Sequence, residues 1–470
     1  MSKYVGIVDI GSGYLKGVVS PLEDSVFDEL EETPQLTTTP LKKPSKGIER
    51  GTIIKVSQAK KVIREFLKLL ADSENADIEE LYLLLTHPKI KSQNINVELN
   101  LIEENPFAGE EEEEQLVQIT EEHLQKLKEL VRQQAAEAGY EIIHIIPRYF
   151  LLDGEKNYEP LGLHASKIEG FYHVIKLKKQ VYLNVKNLVE SLQYRVRKIM
   201  FPAYVSSFDI LGEEDFKKNI LIIDLGHTTV GFSYFLEGRP YLSGALDWGL
   251  QDIAEALSFS FKIPVKKVFE ILRDVGYYRR NSYNSEGFDD TVEIELEDGG
   301  VSSIHKTEIA LALRETISQL LVDVLKRLTA ENVDIGGELD EIVLVGGGSN
   351  IKNIKELFEE LIEEDLNCRI RIGKRKKITS YGEEEVEEEE FLNGDFAPVR
   401  GASILIRELY IRGLLEDPEM QFPFSLEKRE DTSDYSEADL NLPIEEEEEK
   451  PKKGFFGKII GFFKSIISGD

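Results

Sequence analysis

Three glycine-bearing turns, far apart in the chain, carry the residue types that hold phosphate. The first, Asp9-Ile10-Gly11-Ser12-Gly13, closes an apolar run over residues 5–10. The second, Asp224-Leu225-Gly226-His227-Thr228-Thr229, closes a similar run over 219–225. The third, Gly346-Gly347-Gly348-Ser349, follows the run 341–345, and a helical pattern begins after Asn350. Each run has the length of a buried strand, and each ends in small residues that let backbone amides approach an anion. Gly11 and Gly13 permit close backbone approach, and Ser12 offers a hydroxyl. Lys16 offers a point charge for a β- or γ-phosphate.

The elements that must position these turns are legible as alternating periods. Residues 58–70 have helical apolar spacing (Val62, Ile63, Phe66, Leu67, Leu70), whereas 81–85 and 142–146 read as buried strands. The pattern predicts a helix over 121–138 ending at Gly139, an amphipathic helix over 181–196, and a long helix over 307–328. After the second turn, 232–236 and 239–242 read as strands joined at Glu237-Gly238, and Trp248-Gly249 opens a helix over 250–257. Strands and helices alternating in this way indicate an α/β protein whose mixed sheets are covered on both faces.

With 470 residues the chain can build two or more domains. The single cysteine, Cys368, excludes an intramolecular disulfide and a cysteine-rich metal cluster, which fits a reducing compartment. Seven histidines show no metal-ligand spacing. A net charge of −31 speaks against nucleic-acid binding, which needs a basic face. No stretch approaches the roughly 20 apolar residues of a membrane span. No signal peptide is expected, because a strand begins after three residues. Carboxylate runs at 110–114, 383–390 and 445–449 read as solvated segments, and 416–450 reads as an acidic disordered linker.

The segment beyond that linker reverses the charge. Residues 452–467 contain four lysines and no acid. At about 100° per residue, Phe455, Phe456, Ile459, Ile460, Phe462, Phe463, Ile466 and Ile467 share one arc, with Lys458 and Lys464 on the other side. A helix of this kind lies in the plane of an anionic membrane surface. Residues 451–470 are therefore expected to be a membrane-targeting helix.

Two facing Asp-x-Gly turns and a glycine-rich turn before a helix resemble the nucleotide grip of the actin-like ATPase superfamily. In that family two turns wrap the phosphates and the third supports the adenosine. The run from Asp9 to Lys16 is similar to the phosphate loop of actin, including a lysine seven positions after the aspartate. Between the first two turns, residues 142–168 (IIHIIPRYFLLDGEKNYEPLGLHASKI) resemble the extra subdomain of the bacterial cell-division protein FtsA. Pro147, Arg148, Tyr149 and Glu159-Pro160-Leu161-Gly162-Leu163 carry that match. Actin, MreB and the DnaK-type chaperones lack this segment. The resemblance spans about residues 4–413.

It implies an actin-like, duplicated ribonuclease-H-like fold with two lobes and an FtsA-type insert. Subdomain 1A would comprise 1–84, 169–207 and 395–415, and the insert, 1C, would comprise 85–168. Subdomain 2A would comprise 208–257 and 307–394, and 2B would comprise 258–306. It also implies ATP at the three turns, with Mg held through water by Asp9 and Asp224. The implied partners are the C-terminal tail of FtsZ, other copies of the chain in a dimer or filament, and an anionic membrane surface. The implied place is the cytoplasmic side of the cell membrane at the division septum. The FtsZ tail would dock on 2B, where Lys262, Lys266, Lys267, Arg273, Arg279 and Arg280 cluster, although salt bridges could equally use these residues.

Two departures from the family pattern bear on mechanism. FtsA proteins usually carry Asp-x-Gly-Gly-Gly-Thr-Thr-Asp at the second turn, so His227 replaces a glycine and either narrows the γ-phosphate space or donates a hydrogen bond there. In addition, 201–207 carries no Gln or Glu where actin and MreB place the residue that orients the attacking water. Slow hydrolysis is therefore expected. A small-molecule kinase of the same superfamily and a PilM-type pilus adaptor are the alternative readings.

Overall fold

The computed structural model describes residues 4–22, 39–102, 116–277, 290–295, 300–331, 333, 339–363, 366–373 and 394–411. The carboxylate runs, the linker and the tail residues from Phe455 to Ile467 lie outside these, as do Arg279 and Arg280.

The first lobe opens with β1 (Tyr4–Ile10), β2 (Tyr14–Pro21) and β3 (Leu41–Pro44). The short hairpin β4 (Ile48–Glu49) and β5 (Thr52–Ile53), helix α1 (Val56–Glu74) and β6 (Ile78–Leu84) follow. The chain then leaves the lobe through β7 (Lys91–Asn100), β8 (Val117–Gln118), α2 (Glu121–Ala135), β9 (Tyr140–Leu152), β10 (Glu155–Asn157), β11 (His164–Ala165) and β12 (Lys167–Lys178). It returns through α3 (Lys179–Glu190), β13 (Arg195–Met200), α4 (Pro202–Val205) and α5 (Ser207–Ile210).

The second lobe repeats the opening with β14 (Ile220–Leu225), β15 (Val230–Leu236) and β16 (Arg239–Leu246). Helices α6 (Leu250–Phe261) and α7 (Val265–Asp274), the hairpin β17 (Thr291–Glu295) and β18 (Val301–His305), and α8 (Lys306–Ala330) follow. The lobe ends with β19 (Glu341–Val345), α9 (Ile354–Ile362) and β20 (Arg369–Ile372), and α10 (Ala397–Ile411) packs back on β1 and β2.

The two large sheets have the same order, β3-β2-β1-β6-β13 and β16-β15-β14-β19-β20. In each, the first three strands pair antiparallel and the last two add parallel. The fold is thus an internal duplication, and the two Asp-x-Gly turns are the same hairpin in each copy. Strand periodicity ties the lobes together. Ile220 and Ile222 of β14 face the first core while Leu221 and Ile223 face the second. The same alternation places Val343 and Val345 of β19 in the first core, with Ile342 and Leu344 in the second.

The insert is a four-stranded sheet, β10-β9-β12-β7, with its own small core under α2. It also touches the second lobe. Ser92 donates to the Ser243 carbonyl at 2.9 Å and Asn94 Nδ2 to the Tyr241 carbonyl at 3.0 Å. Buried His173 sits between Asn94 Oδ1 and Ser243 Oγ at 2.8 and 3.1 Å. Burial pushes His173 down to about 3, with Arg148 acting in the same direction, so this imidazole is neutral.

Two expectations change. The helix expected over 181–196 stops at Glu190, because Gln193 takes a left-handed φ of 72° and Arg195–Met200 pairs parallel with β6. Strand β12 runs unbroken through residue 168, where the sequence placed a subdomain boundary. Its pairing with β7 continues to Lys176.

Candidate functional site

The first and second turns face each other across a cleft of about 550 Å³. Asp9, Gly11, Ser12, Gly13 and Lys16 line it from the first lobe. Asp224, Gly226, His227 and Thr228 line it from the second. The duplication extends to the turn backbones. A Cβ on Gly11 would lie 2.4 Å from the Tyr14 carbonyl oxygen, and one on Gly226 would lie 2.4 Å from the Thr229 carbonyl oxygen. In both hairpins the glycine makes room for the carbonyl three residues on.

The turns also touch. Thr228 Oγ1 donates to Ser12 Oγ at 2.8 Å. The His227 ring covers Gly13, where an added Cβ would come within 2.7 Å of it, and stacks on Phe269 of α7 at 5.5 Å. Burial holds His227 below its ordinary range, against the pull of Asp252, so the ring is neutral at pH 7.

The third turn backs this arrangement. Gly346 has a φ of 78°, and a Cβ there would lie 2.2 Å from Asp224 Oδ1. Gly348 packs on Leu225, and Ser349 Oγ donates to the Gly346 carbonyl at 2.7 Å. Of its four residues only Gly347 lines the cleft; Gly346, Gly348 and Ser349 hold the second turn from behind.

Lys16 does not stand alone. Its Nζ pairs with Asp395 Oδ1 at 2.5 Å and donates to the Asp395 carbonyl at 3.0 Å. Burial works against both charges, yet Asp395 stays below the usual carboxylate range and Lys16 stays protonated because each faces the other. Burial raises Asp9 to about 7 and Asp224 to about 6. Lys16 opposes both shifts, while Asp395 reinforces both and Asp224 adds to that of Asp9.

Three carboxylates around buried Lys16, with only the more exposed Lys42 nearby at 3.8 Å from Asp395, put acids in excess at the site. That fits a magnesium ion, which keeps most of its waters and is held by one or two carboxylates together with phosphate. Asp9 and Asp224 would hold it through water. Among the described residues no cluster of three or more His, Cys, Asp or Glu could ligate a metal directly.

Both raised acids bind a proton more tightly in the folded state than in the unfolded chain. The stability they contribute is complete below the ordinary carboxylate range and is lost as pH rises through about 6 to 7. Asp9→Asn removes one of these groups. It is expected to raise the melting temperature of the nucleotide-free protein at pH 8 by a few degrees, at roughly 2–4 °C per kcal/mol for a lobe of this size. The gain should shrink as pH falls towards 5, and thermal melts at the two pH values check it.

The basic cluster expected to receive a partner divides. Lys266 and Arg273 line the cleft itself, beside Phe269 and Glu270. Lys267 pairs with Glu270 at 2.9 Å, and Arg273 pairs with Asp274 at 2.7 Å. In the segment 201–207 the hydroxyls of Ser206 and Ser207 are buried and bond to the Pro202 and Tyr204 carbonyls.

Sequence reasoning missed Asp395 and Arg50. Asp395 follows the long carboxylate run, and nothing in its local pattern sets it apart. Arg50-Gly51 between Ile48-Glu49 and Thr52-Ile53 carried a tight-turn signal that was available.

A duplicated sheet with paired phosphate-type turns at one cleft defines an actin-like protein. The PilM–PilN type IV pilus biogenesis complex contains a chain of this fold, with a TM-score of 0.53 at 12% identity over 87% of this chain and 98% of that one. The insert narrows the class: residues 90–176 match the model of the SHS2 domain inserted in FtsA. The cell division protein FtsA of Buchnera aphidicola from Baizongia pistaciae is 26% identical over 341 residues, 70% of this chain and 76% of that protein. That of Borreliella burgdorferi is 23% identical over 81% of this chain and 86% of its own length. That of Escherichia coli is 21% identical over 72% and 77%. The chain thus carries the SHS2 insert of FtsA on an actin-like fold and is similar to FtsA proteins over 70–81% of its length.

Proposed function

We propose that this protein binds ATP with magnesium at the paired turns, self-associates, and tethers the FtsZ division ring to the cytoplasmic face of the cell membrane at the septum. One observation carries the reading. An FtsA-type insert interrupts an actin-like body whose two Asp-x-Gly hairpins meet at a single cleft. The tail supplies the membrane contact, and several copies on a filament would bind far more tightly than one.

The FtsZ tail would dock on the subdomain around α7 and the β17–β18 hairpin. Phe259, at the end of α6, is 87% exposed beside Lys262, an apolar and basic combination suited to a peptide tail. Neither a small-molecule kinase nor a pilus adaptor accounts for both the insert and the tail.

Sedimentation of the purified protein with anionic liposomes, with and without ATP and the C-terminal peptide of FtsZ, tests the whole reading. ATP-dependent pelleting that recruits the peptide supports it. Absence of both membrane and nucleotide binding overturns it.

The turnover expected of the isolated protein is slow. No carboxamide or carboxylate in 201–207 can orient a water, and His227 occupies space between the turns. A steady-state rate within about 1–1,000 per second, the usual enzyme range, would show that another residue performs that role.

A further inference from the structure

Besides the Ser12 turn, lobe one reaches across the cleft through the tip of a second hairpin. Strands β4 and β5 pair Ile48 with Ile53 and Glu49 with Thr52, leaving Arg50-Gly51 as a two-residue turn. Both turn residues are left-handed, with φ of 49° and 70°. This is the conformation that favours Asn-Gly, and arginine occupies it at a cost. Gly51 is wedged so that a Cβ would lie 2.3 Å from the Thr86 carbonyl oxygen, which fixes where the tip points.

The arginine spends all its reach on the second lobe. Its backbone N–H donates to Thr228 Oγ1 at 3.0 Å, and its guanidinium donates to the Thr228 carbonyl at 3.2 Å. The same guanidinium holds Asp252 Oδ1 at 2.7 Å, Asp247 Oδ1 at 3.2 Å and the Asp247 carbonyl. Asp252 in turn accepts from the Gly249 N–H at 2.8 Å, capping the helix whose first amides bond to Gly226 and His227 carbonyls. One side chain therefore fixes both the second turn and the helix seated on it.

We infer that Arg50 is a positioning residue for the phosphate site, holding the second turn in register with the first and aiming a chain of hydroxyls into the cleft. Thr228 Oγ1 accepts from the Arg50 N–H and donates its own proton to Ser12 Oγ. The Ser12 hydroxyl, already an acceptor, is left to donate its proton to an anion at the first turn. Each bond in such a chain polarises the next. The inference rests on the nucleotide reading of the cleft, and the test separates the two.

The variants are Arg50→Asn, Thr228→Val, the double variant, and Thr228→Ser, titrated with Mg-ATP by calorimetry. The fluorescence of Trp248, the sole tryptophan, is followed alongside. This residue adjoins the helix cap, so it reports cleft geometry independently of hydrolysis. Arg50→Asn suits the turn backbone better than arginine, so a loss of binding cannot be charged to a weakened hairpin. Expected are losses of about tenfold or more for Arg50→Asn and for Thr228→Val, the scale of one strong hydrogen bond or ion pair. The double variant should lose little beyond either single one, and Thr228→Ser should keep wild-type affinity. Arg50→Asn should also shrink the Trp248 response. Wild-type affinity in Arg50→Asn, or losses that simply multiply in the double variant, overturns the inference while leaving the nucleotide reading intact. A wild-type protein that binds no nucleotide overturns the reading itself.

Discussion

Gly11→Val and Gly226→Val are each expected to lower ATP affinity by at least about a hundredfold, with the two losses of similar size. The reason is geometric. In both hairpins the missing Cβ would fall 2.4 Å from a carbonyl oxygen of the same turn. Tyr14 opens β2 and Thr229 immediately precedes β15, so each oxygen is tethered to a paired strand and has little room to retreat. The turn must open instead, carrying away the amides proposed to hold the phosphates and separating Ser12 from Thr228. Calorimetric titration checks the affinities, and circular dichroism verifies that each lobe keeps its sheet. Unchanged binding in either folded variant would show that the nucleotide does not sit between the turns. Markedly unequal losses would show that the duplication of the fold does not extend to the work of the two turns.

Lys16→Ala acts differently. Because Lys16 is paired with Asp395, its removal leaves Asp9, Asp224 and Asp395 at the cleft without their nearest cation, with Lys42 3.8 Å from Asp395. The charge balance of the site, rather than one phosphate contact, is what that variant would disturb.

The strands that end at the turns were legible because their apolar runs are short, uninterrupted and closed by glycine. The duplication was legible only in outline, through the repeated Asp-x-Gly; the matching sheet orders required the pairing itself. Contacts between lobes left little trace in local pattern. Asp395 is one carboxylate after a run of them, and its role depends on Lys16 arriving from 379 residues away. The glycines at 346 and 348 looked like a ligand cradle, yet they serve close packing on Asp224 and Leu225. Glycine marks a close approach without saying what approaches. The overlong helix over 181–196 failed for a similar reason. Val185, Leu188, Val189 and Val196 keep an apolar rhythm through a turn that only the φ of Gln193 reveals.

Deletion of residues 452–470 is expected to abolish co-sedimentation with anionic liposomes while leaving ATP affinity unchanged. These residues lie outside those the structure describes, and the expectation rests on their sequence. Four lysines and no acid over residues 452–467, in a chain of net charge −31, would be drawn to an anionic surface that repels the rest of the protein. Each lysine adds about 1 kcal/mol there, and the apolar arc adds burial of Phe and Ile side chains. Against this stands the cost of ordering a short peptide containing Gly457 and Gly461, roughly 1–2 kcal/mol per residue. One copy should therefore bind reversibly. Phe455→Glu or Phe463→Glu puts a carboxylate into the acyl boundary beside like charge, so desolvation and repulsion act together. Either should come close to the full deletion. Lys458→Glu removes only an electrostatic contribution, so its loss should be smaller and should fade in neutral lipid or high salt. Retained pelleting with anionic liposomes after the deletion would locate the membrane contact on the folded body and remove the tail from the tethering role.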